Sequence, residues 1–124
     1  MAAQRLARKK GSRSVAITNV INSTVANEAD GVLYTHAGPE ISIASTKAFT
    51  AQMAVLFLTA MYLAKVREQL PRESARRWIE ELIALPEKTQ ATLKWADTCR
   101  ELAQRYHRYE DFLFLGRAIH YPVA

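Results

Sequence analysis

Cysteine is almost absent from this chain, with one residue, Cys99, in 124. That excludes an internal disulfide and any metal site built on clustered thiolates. Histidine is scarce too, and His36, His107 and His120 are scattered without ligand spacing. Neither a metal nor a cofactor is therefore expected. The start "MAAQRLARKKG" lacks the apolar core of a signal peptide. The longest uncharged run, Ala48 to Ala64, falls short of the ~20 apolar residues of a bilayer crossing and includes Thr50, Gln52, Thr59 and Tyr62. A reducing, cytoplasmic setting away from membranes is the expectation.

Apolar residues make up 49% of the chain and charged ones 23%, a balance that favours a packed core over disorder. The net charge of +5 owes much to Arg5, Arg8, Lys9, Lys10 and Arg13. These lie on or just after a short amphipathic segment, where basic charge suits a helix C-terminus. No aromatic-basic interleaving or DNA-binding motif accompanies them, so a solvated helix face is expected rather than a nucleic-acid partner.

The order of elements points to an α/β protein. Residues 2–10 read as a helix stopped by Gly11, and "SVAITNVI" (14–21) as a parallel strand buried on both faces. "NSTVANEAD" (22–30) reads as a short helix capped by Asn22 or Ser23, and "GVLYTH" (31–36) as the next strand. A long helix follows from about Ser45 to Gln69, ended by Pro71 and apolar on nearly every face. Two amphipathic helices are expected near 72–85 and 86–106, and "DFLFLG" (111–116) as a closing strand. The alternation is that of a doubly wound parallel sheet flanked by helices. A first helix without its strand and a last strand without its helix suggest a unit truncated at both ends.

In open α/β sheets, ligands sit beyond the carboxyl ends of the strands. "THAGPEISIASTK" (35–47) occupies that position. Ser45 or Thr46 would set a hydroxyl beside free N–H groups, where an oxyanion or a sugar hydroxyl could bind. Lys47 opposes the helix dipole there unless an anion compensates, and Glu40 is a candidate for that role. An ordinary N-cap with an outward lysine fits the same residues.

"YTHAGPEISIASTKAFTAQ" resembles the stretch "AGPEIGVASTKAFTTQ" of the isomerase domain in the glutamine–fructose-6-phosphate aminotransferase family. Three further segments are similar in order and spacing: "LARKKGSRSVAITNVINSTVANEADGVLYT", "IEELIALPEKTQATL" and "FLFLGRAIHYPVA". The resemblance covers essentially the whole chain. It implies a flavodoxin-like fold of the SIS (sugar isomerase) type. Residues 1–70 would form the back half of a first subdomain, 71–108 a helical connector and 109–124 the start of a second.

The family moves ammonia from glutamine onto fructose 6-phosphate and isomerises the product to glucosamine 6-phosphate. The resemblance implies a sugar-phosphate wall at Ile43, Ala44, Ser45, Thr46 and Lys47, with the backbone of Ile43 and Ala44 near the sugar hydroxyls. Ser42 stands where the commoner pattern has glycine, Thr18 where it has cysteine, and Ala118 where it often has glycine. The family's "SQSGET" phosphate loop would precede Met1, and its "LEGALKLKE" glutamate and lysine would follow Ala124. The ring-opening histidine and the Schiff-base lysine would lie further on, so no catalytic residue is expected here. His36 and His120 are expected to be structural, and Cys99 is no substitute for the family's nucleophilic cysteine. A homodimer in the full-length setting is implied as well. The alternatives are a non-catalytic sugar-phosphate-binding SIS module of a regulator and a degenerate remnant.

Overall fold

The computed structural model describes residues 1–41, 43–118 and 120. It contains two compact units, Met1–Leu82 and Ile83–Ala124.

The first unit opens with α1 (Ala2–Lys9), whose end is set by Gly11 at φ +80°. That left-handed residue lets the Gly11 and Ser12 amides turn back to the Arg8 and Ala7 carbonyls, both at 3.0 Å. Strand β1 (Val15–Thr18) and strand β2 (Gly31–Tyr34) pair in parallel, Val15 opposite Gly31 and Thr18 opposite Tyr34. Between them α2 (Thr24–Asn27) is a single turn capped by Ser23, whose Oγ accepts the Ala26 amide at 3.4 Å.

Reciprocal bonds clamp the start of the strand pair. Ser14 donates its amide to Asp30 Oδ2 at 2.8 Å, and the Asp30 and Gly31 amides donate to the Ser14 carbonyl. Helix α1 is tied to the crossover through Arg5, whose Nε reaches Glu28 at 2.9 Å, and through Gln4, which donates to the Val25 carbonyl.

Helix α3 (Lys47–Val66) follows, and Glu68, left-handed at φ +56°, ends it a turn before Pro71. Helix α4 (Arg72–Ile83) meets α3 through an edge contact of Trp78 on Phe57, with centroids 6.1 Å apart.

Several expectations need correction. Both strands are shorter than 14–21 and 31–36, and the pair is not buried on both faces. Ala16 is buried, but Val15 is 66% exposed. Two strands offer too narrow a surface for helices to close over both sides. Helix α3 is apolar all round as expected, yet Met61 is its buried residue among those described. It also spans 20 residues, long and apolar enough to cross a membrane by those two measures alone, a weak sign in a single helix.

In the second unit, α5 (Leu85–Thr92), a 3-10 turn (Leu93–Trp95) and α6 (Ala96–Tyr106) replace the one helix expected over 86–106. Pro86 lacks the N–H that would extend α4, so a new helix starts around it. Thr89 and Thr92 bond back to the Leu85 and Thr89 carbonyls at 2.8 and 2.7 Å, which competes with regular helix at the junction. The strand expected at 111–116 does not form, and Phe112, Leu113, Phe114 and Leu115 lie exposed without a ladder partner. A strand is held by its neighbour, and β-propensity alone does not supply one.

Candidate functional site

Because β1 and β2 run in parallel, their carboxyl ends lie side by side. The ladder closes with the Thr35 amide on the Thr18 carbonyl at 3.1 Å. Immediately beyond, Asn19 spends both ends of its amide on the loop leaving β2. Its Oδ1 accepts from Thr35 Oγ1 at 3.0 Å and from the Ala37 amide at 2.8 Å, and its Nδ2 donates to the Gly38 carbonyl at 2.6 Å. Two left-handed residues, His36 at φ +51° and Gly38 at φ +71°, let the chain fold around that side chain.

The far end of the loop is held by Glu40. Its Oε2 accepts the Thr46 and Ala48 amides at 3.3 and 3.1 Å, and its Oε1 accepts the Thr46 hydroxyl at 3.0 Å. Glu40 thus satisfies two of the amides at the start of α3, those of Thr46 and Ala48, at the positive end of the helix dipole. Thr46 holds the N-cap position but makes no capping bond from its side chain. Donation from Ala48, reinforced by Thr46 and the nearby charge of Lys47, holds the Glu40 carboxyl below its ordinary range against the opposing effect of burial.

The predicted wall residues form one exposed stretch against this frame. Ile43 and Ala44 lie open to solvent, and Ser45 is exposed with no hydrogen-bond partner among the described residues. Thr46 is drawn onto Glu40. Lys47 begins α3 with its ammonium near Gly38, 3.9 Å from where a β-carbon would stand. Ser42 lies outside the described residues, as do Ile119 and residues 121–124 of the "FLFLGRAIHYPVA" segment.

Neither Ser45 nor Thr46 caps α3 with its hydroxyl; Glu40, the anion expected to offset Lys47 there, takes the Thr46 and Ala48 amides instead. Sequence reasoning missed Asn19. The available signal was an amide side chain directly after a predicted parallel strand, at the end where such sheets bind ligands.

His36 stands at the loop entrance, its ring 6.1 Å from that of Tyr34. In the second unit Cys99 is exposed on α6, and the His120 amide donates to the Arg117 carbonyl. Among the described residues no cluster of histidine, cysteine or carboxylate could hold a metal. A groove of about 660 Å³ runs between the sheet and α3, lined by Val32, Leu33, Tyr34, Val55, Leu58 and Tyr62 among others. Its walls are apolar, and none of the described residues between 40 and 47 lines it.

A parallel β-α-β pair flanked by helices is the unit of an α/β domain. The SIS domain pattern matches residues 1–62, half of the chain, and the chain belongs to that family. Curated relatives carry the name glutamine–fructose-6-phosphate aminotransferase (isomerizing). That of Clostridium tetani is 41% identical over all 124 residues, and that of Leifsonia xyli is 43% identical over 122, or 98% of the chain. One from Thermus thermophilus is 42% identical over 120 residues, 97% of the chain. In each case the match covers 20% of the relative, so the chain spans about a fifth of its length.

Proposed function

We propose that the chain forms part of the isomerase domain of a glutamine–fructose-6-phosphate aminotransferase, and that its 43–47 stretch is one wall of a fructose 6-phosphate site. The observation that carries this reading is the loop between β2 and α3. Asn19 anchors it at one end and Glu40 at the other, leaving Ile43, Ala44 and Ser45 exposed in the loop beyond the carboxyl end of the sheet. Preformed backbone with a few free polar groups suits a hydroxylated ligand. The relatives' shared name supplies the substrate.

The isomerisation moves a proton between adjacent sugar carbons and needs a base and a carbonyl-polarising amine. The wall residues offer no carboxylate or imidazole base, and Lys47, their one amine, has its ammonium beside Gly38, so the part this chain plays is to bind and orient. On its own it forms no glucosamine 6-phosphate, even with ammonia supplied. In the full-length protein it acts in the cytoplasm as a homodimer without nucleic-acid or membrane partners, and the exposed apolar faces of α3 suit burial in such an assembly.

The test places the segment in a full-length aminotransferase and compares Ser45→Ala and Lys47→Met with the parent. Lys47→Met keeps an apolar stem and removes the charge. Both variants are expected to raise KM for fructose 6-phosphate while glutamine hydrolysis persists. Unchanged sugar-phosphate kinetics in both would mean that the loop is only a helix entry.

A further inference from the structure

We propose that Asn19 is a positioning residue for Lys47: by holding the Gly38 carbonyl it keeps the neighbouring ammonium free to meet a sugar phosphate. The inference rests on the sugar-phosphate reading above and adds to it a residue that lies outside the 43–47 stretch.

Lys47 is exposed at the start of α3, and its ammonium donates no hydrogen bond among the described residues. It rests beside Gly38, 3.9 Å from where a β-carbon would stand. An ammonium carries three donors, and an unspent acceptor next to it draws one of them into a charge-assisted bond. Gly38 brings such an acceptor, but its carbonyl is already taken by Asn19 Nδ2 at 2.6 Å. The other end of the same amide accepts from Thr35 Oγ1 and the Ala37 amide, which fixes the turn through the left-handed His36 and Gly38. Glu40, the other group that could capture the lysine, is occupied by the Thr46 and Ala48 amides and the Thr46 hydroxyl. Asn19 directly follows β1, which is paired to β2, so the surroundings of the ammonium are referred to the sheet rather than to the loop alone. Without the Asn19 amide, the Gly38 carbonyl is an open acceptor beside a cation. An internal bond then competes with the oxygens of a ligand, and affinity falls while turnover of bound ligand does not.

The experiment places Asn19→Ala, Asn19→Asp, Lys47→Met and the Asn19→Ala/Lys47→Met double variant in the full-length aminotransferase. Fructose 6-phosphate kinetics are measured well below the unfolding temperature of each, with glutamine hydrolysis as the check on folding. Asn19→Ala should raise KM for fructose 6-phosphate about fivefold, the factor that one net hydrogen bond corresponds to, with kcat held within about twofold. Asn19→Asp keeps both acceptor bonds and loses the donor to Gly38, so it should fold and still show the raised KM. The double variant should be no worse than Lys47→Met alone, because both changes act through one ammonium.

A folded Asn19→Ala or Asn19→Asp with the parent's KM would overturn the proposal. So would a double variant whose KM rises by the product of the two single effects, the mark of a general loosening of the loop. An effect of Lys47→Met without one of Asn19→Ala removes the positioning role and leaves the sugar-phosphate reading intact. Normal KM in both Lys47→Met and Ser45→Ala would remove that reading, and the proposal with it.

Discussion

Replacing Asn19 by alanine removes three hydrogen bonds at once, at 2.6, 2.8 and 3.0 Å, from the junction between β1 and the loop after β2. A net hydrogen bond contributes about 1 kcal/mol. The Gly38 carbonyl and the Thr35 hydroxyl can turn to water, whereas the Ala37 amide, in a part-buried bond, is left short of an acceptor. A loss of about 2 kcal/mol is therefore expected, allowing for partial rehydration. For a unit of the size of Met1–Leu82 that corresponds to a fall of roughly 8–16 °C in Tm. Urea unfolding followed by far-ultraviolet circular dichroism reads the change directly. Asn19→Asp sharpens the test, because a carboxylate still accepts from Thr35 and Ala37 but faces the Gly38 carbonyl without a proton to give. Its deficit should shrink in acid, where the protonated side chain regains a donor. A loss for Asn19→Ala below about 0.5 kcal/mol, the range of ordinary surface changes, would refute the claim that this amide holds the loop.

Gly38→Ala forces a β-carbon into a left-handed position, at φ +71°. The nearest atom, Lys47 Nζ at 3.9 Å, is at ordinary contact distance, so the cost is conformational, about 1 kcal/mol, and Gly38→Asn should cost less in the same unfolding assay. Acid should weaken the chain through its clamped carboxylates. Glu28 is held below its ordinary value by Arg5, Asp30 by the Ser14 amide and Glu40 by the Ala48 amide. The folded state therefore binds fewer protons than the unfolded one, and the stabilisation is complete above the ordinary carboxylate range and lost as pH falls through the lowered values. Thermal midpoints against pH should show Glu40→Gln below wild type near neutrality, with the two curves converging at the acid end; parallel curves would contradict the clamp.

Much of this architecture is legible in the residues themselves. Gly11 and Ser23 carry local signals that need no tertiary context, and each acts where its chemistry predicts. The β-branched run at 15–18 and the apolar run at 31–34 announce the parallel pair. What misleads is any feature whose outcome depends on distant groups. The "DFLFLG" run has every local mark of a strand, yet pairing is a property of two segments. The end of α3 at Glu68 has no glycine to flag it. At the start of α3 the residues offer Ser45 or Thr46 as a local cap and Glu40 as an anion to offset Lys47, and sequence spacing does not choose between them. The carboxylate that performs it arrives from Glu40 across an irregular loop, a closure that no periodicity encodes. Asn19 escaped for the same reason, since its partners become neighbours only once β1 and β2 align.

The brevity of α2 has a kinetic consequence. Parallel strands ordinarily wait for a long crossover to form, which makes them slow and costly to close. Here the crossover holds one helical turn, and Val15 meets Gly31 only sixteen positions along the chain. Each doubling of such a loop adds about 0.6 kcal/mol of closure entropy, so this pairing lies near the cheap end for its kind. The Ser14–Asp30 clamp spans that same separation of 16 and bolts the loop shut at its mouth. The non-local step that is hardest for an α/β chain is thereby reduced to nearly a local one, open to the segment from Ser14 to Tyr34 by itself.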